Sequence, residues 1–292
     1  MARCLVTGHR GFIGAELYKK LKEEGHEVLG IDYEDSPFDD IKVSLKEGYG
    51  FFNPKYFNFK PEYIFHLACT TRVPLSMKDP IGTLENNCIA TSVLLNFAKK
   101  VGAKRFIFSS SSSIIGDGEE QLSPYAIQKL YSEKECRLYS RFYGLDTVNL
   151  RYFNVYSEDQ IKKNKYSTLI NEWMFRLKRD KTLYISGDGE QRRDMTHVSD
   201  VVGANIFMMN YQGNLNGEFF DVGTGTNISI NEVKDIVLKY FPNKKFDYTD
   251  ERIGDVLFTK ADISKINKLG WHHSVSIDDG LNKCFEKVKS EL

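Results

Sequence analysis

The chain has 292 residues, 41% of them hydrophobic, which is enough apolar material for one large domain or two linked lobes with full cores. Its 40 basic and 40 acidic residues cancel to a formal net charge of zero, so bulk charge gives no basis for binding nucleic acid or an anionic membrane. The five cysteines (Cys4, Cys69, Cys88, Cys136, Cys284) are scattered without a C-x-x-C pair, which argues against a disulfide framework and for a reducing compartment.

The chain opens on an apolar strand, Arg3–Thr7, that runs into Gly8-His9-Arg10-Gly11-Phe12-Ile13-Gly14 and then an amphipathic helix from Phe12 to Glu24. Strand, glycine turn and helix form a phosphate cradle: glycine permits the tight turn, and the helix N-terminus offers unpaired N–H groups and a positive dipole end. A second strand, Glu27–Ile31, leads to Asp32, close to the roughly 20-residue spacing of the carboxylate that holds an adenosine ribose. The combination predicts a dinucleotide site; a glycine triplet alone also serves an ordinary βαβ turn.

Further strands are predicted at Tyr63–Ala68, Arg105–Ser109 and Thr147–Tyr152, with helices at Thr83–Val101 and Pro124–Tyr143. The stretch 35–60 is irregular, with one weak strand near Ile41–Leu45. Alternating strands and helices predict an α/β fold with a parallel sheet covered on both faces. After Tyr156 the pattern loosens. Helices are expected at Ser167–Arg179, Val198–Asn210, Ile230–Tyr240 (capped by Ser229) and Ile277–Lys289, with strands at Thr182–Ser186 and Glu218–Val222. No 18-residue apolar span and no leader-like start occur, so the expectation is a soluble cytoplasmic protein.

Ser123-Pro124-Tyr125-Ala126-Ile127-Gln128-Lys129 reads as a helix start, with serine as cap and proline in the first turn. Tyr125 and Lys129 then share a face at i and i+4. A free tyrosine has a pKa near 10, too high for a base at neutral pH, and a nearby ammonium favours the phenolate. Phe106-Ile107-Phe108 delivers Ser109, Ser110 and Ser111 to the carboxyl end of its strand, where a hydroxyl can meet both Tyr125 and a substrate oxygen. His66 and His197 read as packed or hydrogen-bonded side chains. His272-His273 lacks spaced partners, and no metal site is predicted.

These segments, with His66-Leu67-Ala68, Asp79-Pro80, Glu85-Asn86-Asn87, Arg151-Tyr152-Phe153-Asn154, the run Gly187–Asp194, Asp221-Val222-Gly223, Arg252-Ile253-Gly254-Asp255, Ala261-Asp262 and Leu269-Gly270-Trp271, resemble the extended short-chain dehydrogenase/reductases, the nucleotide-sugar epimerases and dehydratases. The resemblance implies a Rossmann-like doubly wound parallel sheet with a smaller C-terminal substrate-binding lobe. It places the dinucleotide domain at 1–156, with segments around 195–223 crossing back, and the sugar-nucleotide lobe mainly at 157–292. It implies Tyr125 as base, Lys129 as ribose ligand and modulator of the tyrosine, and Ser111 as hydroxyl partner, with Ser112 as runner-up. Gly8, Gly11, Phe12, Ile13, Gly14, Asp32, Ala68 and Asn87 would line the cofactor. Asn154, Arg193, Arg252 and Arg72 would face the substrate, arginine being suited to diphosphate oxygens.

Asp32 favours NAD over NADP, since a carboxylate repels a 2′-phosphate. His9-Arg10 inside the glycine turn resembles NADP-using relatives and points the other way. The serine strand is followed by Ser112 and Ser113 rather than a carboxylate, which argues against dehydration and decarboxylation. The favoured reading is an NAD-dependent 4-epimerase of a UDP-hexose working through a 4-keto sugar. The resemblance implies that Thr259 stands beside the sugar's C2 group, where its small side chain leaves UDP-N-acetylglucosamine beside UDP-glucose as substrate. The alternatives are a dehydratase, reductase or decarboxylase of the same family, and a dinucleotide sensor without catalysis. Only residues 112–124 separate Ser111 from Tyr125, a shorter insert than relatives carry. The helices Thr83–Val101 and Pro124–Tyr143 would form a four-helix bundle in a homodimer.

Overall fold

The structure is a computed structural model. It describes residues 1–33, 41–45, 52–53, 57–71, 73–116, 121–159, 168–251 and 256–292. In chain order these fold as β1 (Arg3–Thr7), α1 (Phe12–Glu23), β2 (Glu27–Asp32), β3 (Ile41–Lys42), β4 (Tyr63–His66), α2 (Val73–Lys78), α3 (Pro80–Leu84), a π turn (Glu85–Ile89), α4 (Ala90–Val101), β5 (Arg105–Ser111) and a 3₁₀ turn (Ser112–Ile115). Then follow α5 (Pro124–Tyr143), β6 (Thr147–Tyr152), α6 (Leu169–Leu177), β7 (Leu183–Ser186), β8 (Arg192–Arg193), α7 (Val198–Asn210), β9 (Glu218–Val222), β10 (Ile228–Ser229), α8 (Ile230–Tyr240), β11 (Phe246–Thr249), α9 (Ser264–Asn267) and α10 (Ile277–Ser290).

A seven-stranded sheet runs in the order β3-β2-β1-β4-β5-β6-β9. The pairs β2–β3, β1–β2, β1–β4 and β4–β5 are parallel, with Leu5 opposite both Leu29 and Ile64. The order reverses direction beside β1, the switch point at which parallel sheets bind ligands beyond the strands' carboxyl ends. This is the parallel sheet that the alternation predicts and the Rossmann-like doubly wound arrangement that the resemblance implies. No helix among the described residues is long and apolar enough to cross a membrane.

The chain separates into two compact units. The first comprises residues 1–115, 121–151 and 202–220. Its core joins Leu5, Ile31, Ile64 and Phe106 of the sheet to Val93, Leu94 and Phe97 of α4 and Cys136 of α5. The second comprises 116–120, 152–201 and 221–292. Its core packs Trp173 and Met174 of α6 with Val233 and Val237 of α8 and Leu281 and Phe285 of α10.

Local chemistry explains the boundaries that matter for the site. α5 starts where Ser123 accepts the N–H of Ala126 and Pro124 fills the first position, and it stops at Gly144 with φ of 70°. α3 starts at Pro80, three residues before the predicted Thr83, because Asp79 accepts the N–H of Gly82 and Pro80 follows it. The single helix expected at Thr83–Val101 is therefore three pieces, with a π turn in the middle. Ser229 and Glu232 form a reciprocal capping box on α8.

Candidate active site

The glycine turn is built by close approach. Gly8 has φ of 72°, and a Cβ there would lie 2.7 Å from the Ala68 nitrogen. A Cβ on Gly14 would lie 2.1 Å from the Gly8 carbonyl oxygen, so α1 seats directly on the turn. This brings Gly8, Gly14 and Ala68 together at the carboxyl ends of β1 and β4. The first turn of α1 holds Phe12 and Ile13, has Gly11 as its cap with no side-chain capping bond, and contains no acidic residue. Its N–H groups and dipole are thus left to an external anion. Asp32, 7% exposed, ends β2 and accepts the backbone N–H of Arg10 at 3.0 Å and of Tyr33 at 2.8 Å. An uncapped helix end beside a buried carboxylate suits the pyrophosphate and ribose of a dinucleotide.

Behind the turn, the Thr7 hydroxyl meets His66 Nδ1 at 2.8 Å and receives the Ala68 N–H at 3.3 Å. His66 Nε2 meets the Thr91 hydroxyl at 2.9 Å, and Thr91 donates to the Asn87 carbonyl at 2.6 Å. Burial pushes His66 down to about 3, and the Lys129 charge adds to the effect, so the ring is neutral and serves as a spacer.

β5 and α5 carry the second cluster. Ser111, last in β5, accepts the Ser113 N–H at 3.2 Å, and its hydroxyl stands on the side of the Tyr125 phenol, where it favours the phenolate. Ser112 stands in the 3₁₀ turn, and Ser110 turns away to donate to Glu133 at 2.6 Å. Lys129 Nζ donates to the Ser109 carbonyl at 2.6 Å and lies 5.9 Å from the Tyr125 ring centre. Burial raises the Tyr125 pKa, and Lys129 and the Ser111 hydroxyl pull against it. Asn87, 3% exposed, sits in the π turn and bonds the 69–70 backbone loop and Gln128. Ser111, Tyr125, Lys129 and Asn87 therefore converge within the sheet unit. The arrangement suits proton transfer from an alcohol, because a hydroxyl–phenol–ammonium chain stabilises the phenolate form.

The second unit gathers another group. β8 pairs with the segment after 256: Arg192 N–H donates to the Leu257 carbonyl at 2.9 Å and Asp194 N–H to the Thr259 carbonyl at 3.1 Å. Asn154 has φ of 35°, a strained value for a residue other than glycine. Its amide holds it there by donating to the Asp194 carbonyl at 2.8 Å and towards the Thr259 hydroxyl at 3.4 Å. Arg193 stands beside them in β8 and donates to the Arg192 carbonyl at 3.0 Å. Asn154, Arg193 and Thr259 are thus neighbours. Arg72 and Arg252 lie outside the described residues.

Sequence patterns leave two contributors unmarked. Gln128 lies inside the Tyr125–Lys129 motif with no signal of its own. Asp194 gathers the N–H groups of Thr224, Gly225 and Ala261 at 2.9, 3.0 and 3.1 Å, which only the fold reveals.

The chain belongs to the NAD dependent epimerase/dehydratase family, whose model matches residues 4–223. The family's cofactor is NAD, and the uncapped α1 terminus and Asp32 fit it. A UDP-glucuronate 4-epimerase of Thermodesulfobacterium geofontis is 31% identical over 100% of this chain and 98% of its own. A protein of Methanocaldococcus jannaschii described as a putative UDP-glucose 4-epimerase is 29% identical over 98% of each chain. A UDP-N-acetyl-alpha-D-glucosaminuronate decarboxylase of Bacillus cytotoxicus is 28% identical over 97% of each. Among solved structures, the UDP-glucose 4-epimerase of Thermotoga maritima with UDP-glucose matches with a TM-score of 0.89 at 31% identity, covering 99% of both chains. The Thermus thermophilus UDP-glucose 4-epimerase in complex with NAD matches at 0.87 and 25% identity, covering 99% of this chain and 100% of that one. Family membership makes this chain kin to NAD-using epimerases, dehydratases and decarboxylases of nucleotide sugars.

Proposed function

We propose that this protein is an NAD-dependent 4-epimerase of a UDP-hexose. The observation that carries the reading is the Ser111–Tyr125–Lys129 convergence with no carboxylate beside Ser111 in β5 or the turn after it. Bound NAD supplies a reversible hydride acceptor for the sugar carbon. Tyr125, as phenolate, takes the proton of the sugar's C4 hydroxyl and later returns it. Ser111 holds the same oxygen and the phenol through one hydroxyl. Lys129 keeps a positive charge beside the phenolate and binds the cofactor ribose. A carboxylate next to the serine would be needed to expel a hydroxyl from the neighbouring carbons, and its absence supports inversion over elimination.

Gly8, Gly11, Phe12, Ile13, Gly14, Asp32, Ala68 and Asn87 hold the cofactor in this reading. Asn154, Arg193, Thr259, Arg72 and Arg252 hold the substrate, with Ser112 near the sugar. Thr259 is small enough to leave room for an N-acetyl group, which keeps UDP-N-acetylglucosamine beside UDP-glucose. A second copy of the chain completes the assembly. Ile127, Tyr131, Leu138 and Phe142 are exposed by 56, 51, 43 and 66% along α5. Their spacing sets them on one helix face, a self-complementary apolar stripe.

The test is product analysis by proton NMR after incubation with NAD and, separately, UDP-glucose, UDP-N-acetylglucosamine and dTDP-glucose. A C4 epimer without net NADH supports the reading, and the better substrate decides the Thr259 argument. A 4-keto-6-deoxy product makes the enzyme a dehydratase. NAD binding without any product returns the sensor. Light scattering should give a dimer, and Phe142→Glu a monomer.

A further inference from the structure

β2 carries a glycine on the face that α1 covers. Leu29 and Ile31 turn the other way, into the core built with α4. Side chains alternate along a strand, so Gly30 between them faces the layer of α1. A Cβ on Gly30 would lie 2.5, 2.6 and 2.7 Å from Cδ2, Cγ and Nε2 of His9. The imidazole therefore rests directly on the glycine backbone. It is 4% exposed, and it also meets the ring of Tyr18 in α1, with ring centres 5.3 Å apart.

His9 belongs to the glycine turn itself. Its Cα would lie 3.0 Å from a Cβ on Gly14, at the start of α1. One residue thus touches the turn, the helix that follows it and the strand that ends in Asp32. Backbone bonds tie the turn to the end of β2: Gly8 N–H donates to the Ile31 carbonyl at 2.8 Å, and Arg10 N–H to the Asp32 carboxylate at 3.0 Å. Those bonds leave the spacing of α1 over β2 to side-chain volume, and residue 30 contributes none. The His9 ring occupies that space. Interiors are close-packed, so deleting a buried ring leaves a void that the helix and strand close by moving. The part that moves is the helix end that offers its N–H groups to an anion, while Asp32 stays on β2.

We propose that His9 is a positioning residue for the dinucleotide: its ring, seated on Gly30, holds the N-terminus of α1 at a fixed distance from β2 and so keeps the phosphate turn in register with the Asp32 carboxylate. The inference rests on the glycine turn and Asp32 being the dinucleotide site. A dinucleotide bridges the two, with its pyrophosphate at the helix end and its adenosine ribose at the carboxylate. When the two ends drift apart, a ligand that keeps one contact strains the other.

The test is a cycle of NAD affinities, measured by isothermal titration on the parent, His9→Ala, Asp32→Ala and the chain with both changes. His9→Ala should weaken NAD about fivefold and Asp32→Ala about tenfold. Together they should weaken it about fifteenfold, not the about fiftyfold of independent effects, because without the carboxylate there is no register left to lose. A ring that served folding alone would give independent effects. Gly30→Ala drives the ring off its seat and should weaken NAD about tenfold or more; adding His9→Ala to it should restore the affinity to within about twofold of His9→Ala alone. If Gly30→Ala does not fold, the His9–Asp32 cycle carries the test. Effects that multiply in full overturn the inference and leave the site standing, as does His9→Ala with the parent's affinity. Asp32→Ala with the parent's affinity removes the site assignment, and the inference with it. No sugar enters either measurement, so the epimerase reading stands or falls separately.

Discussion

Two buried networks, one in each unit, hold their polar groups to different ends. In the sheet unit, neutral side chains bond one another in series: Thr7, His66 and Thr91 reach the Asn87 backbone, and Gln128 reaches its amide. In the second unit, single carboxylates collect backbone. Asp194 accepts from Thr224, Gly225 and Ala261, and Asp200 from Ser274 and Val275. Series bonding sets the angles of side chains that must meet reacting atoms. A carboxylate hub instead gives irregular loops the hydrogen bonds that helices and strands would supply. The first device controls chemistry and the second controls shape, so substitutions in the two networks should fail differently.

The largest effect belongs to Tyr125→Phe. Losing the base should lower turnover by about 10²–10⁴-fold. NAD affinity should change little, because the glycine turn and Asp32 remain. Product formation and NAD titration, measured on one preparation, separate the two; surviving turnover would remove Tyr125 as the base.

Asp194→Ala should instead unfold. It is fully buried and leaves three backbone donors and the Thr224 hydroxyl without their acceptor. Each such group costs about 1–3 kcal/mol, and each kcal/mol shifts Tm by about 2–4 °C in a chain of this size. A drop beyond about 10 °C is expected by calorimetry. A melting point within a few degrees of the parent would show that the loops hold themselves.

Legibility in the sequence follows the same divide. α5 can be read to the residue because Ser123, Pro124 and Gly144 punctuate it. α7, α8 and β9 likewise match their apolar patterns. The helix before β5 was harder, since Asp79-Pro80 starts it early and Glu85-Asn86-Asn87 interrupts the apolar stripe with a π turn. α2 carries no periodicity in its six residues, so the sequence pattern does not predict it. The weak strand expected at Ile41–Leu45 shrinks to Ile41–Lys42. At the site, residue types with a fixed spacing could be read: Gly8 to Gly14, Asp32, Tyr125 and Lys129. Gln128 and Asp194 could not, because a buried amide or carboxylate acquires its meaning from partners distant in the chain, and a pattern of types records none of them.

A smaller effect is expected at the cofactor carboxylate. Asp32→Ala should weaken NAD about tenfold and narrow the margin over NADP, since the repulsion of a 2′-phosphate goes with the charge. Isothermal titration with both cofactors measures this; an unchanged ratio would move the discrimination to Arg10 in the glycine turn.

The smallest effect tests the series-bonded wall itself. His66 is held down to about 3 from an ordinary 6.5, so the unfolded chain binds its proton first as pH falls. The neutral ring is then a cost that grows below about 6.5, and stability is lost as pH drops towards 3, not as it rises. From pH 7 to pH 6 the loss attributable to this ring is about 0.7 kcal/mol, approaching about 1.4 kcal/mol per unit further down. Denaturant unfolding at pH 7 and pH 6 gives the total slope, and His66→Gln gives the slope without the ring, since a glutamine can still bond Thr7 and Thr91 and does not titrate. The difference between the two slopes isolates His66 from the other five histidines. Equal slopes would mean that the ring takes up its proton in place, and that the wall behind the glycine turn yields where the hydrogen bonds say it is rigid.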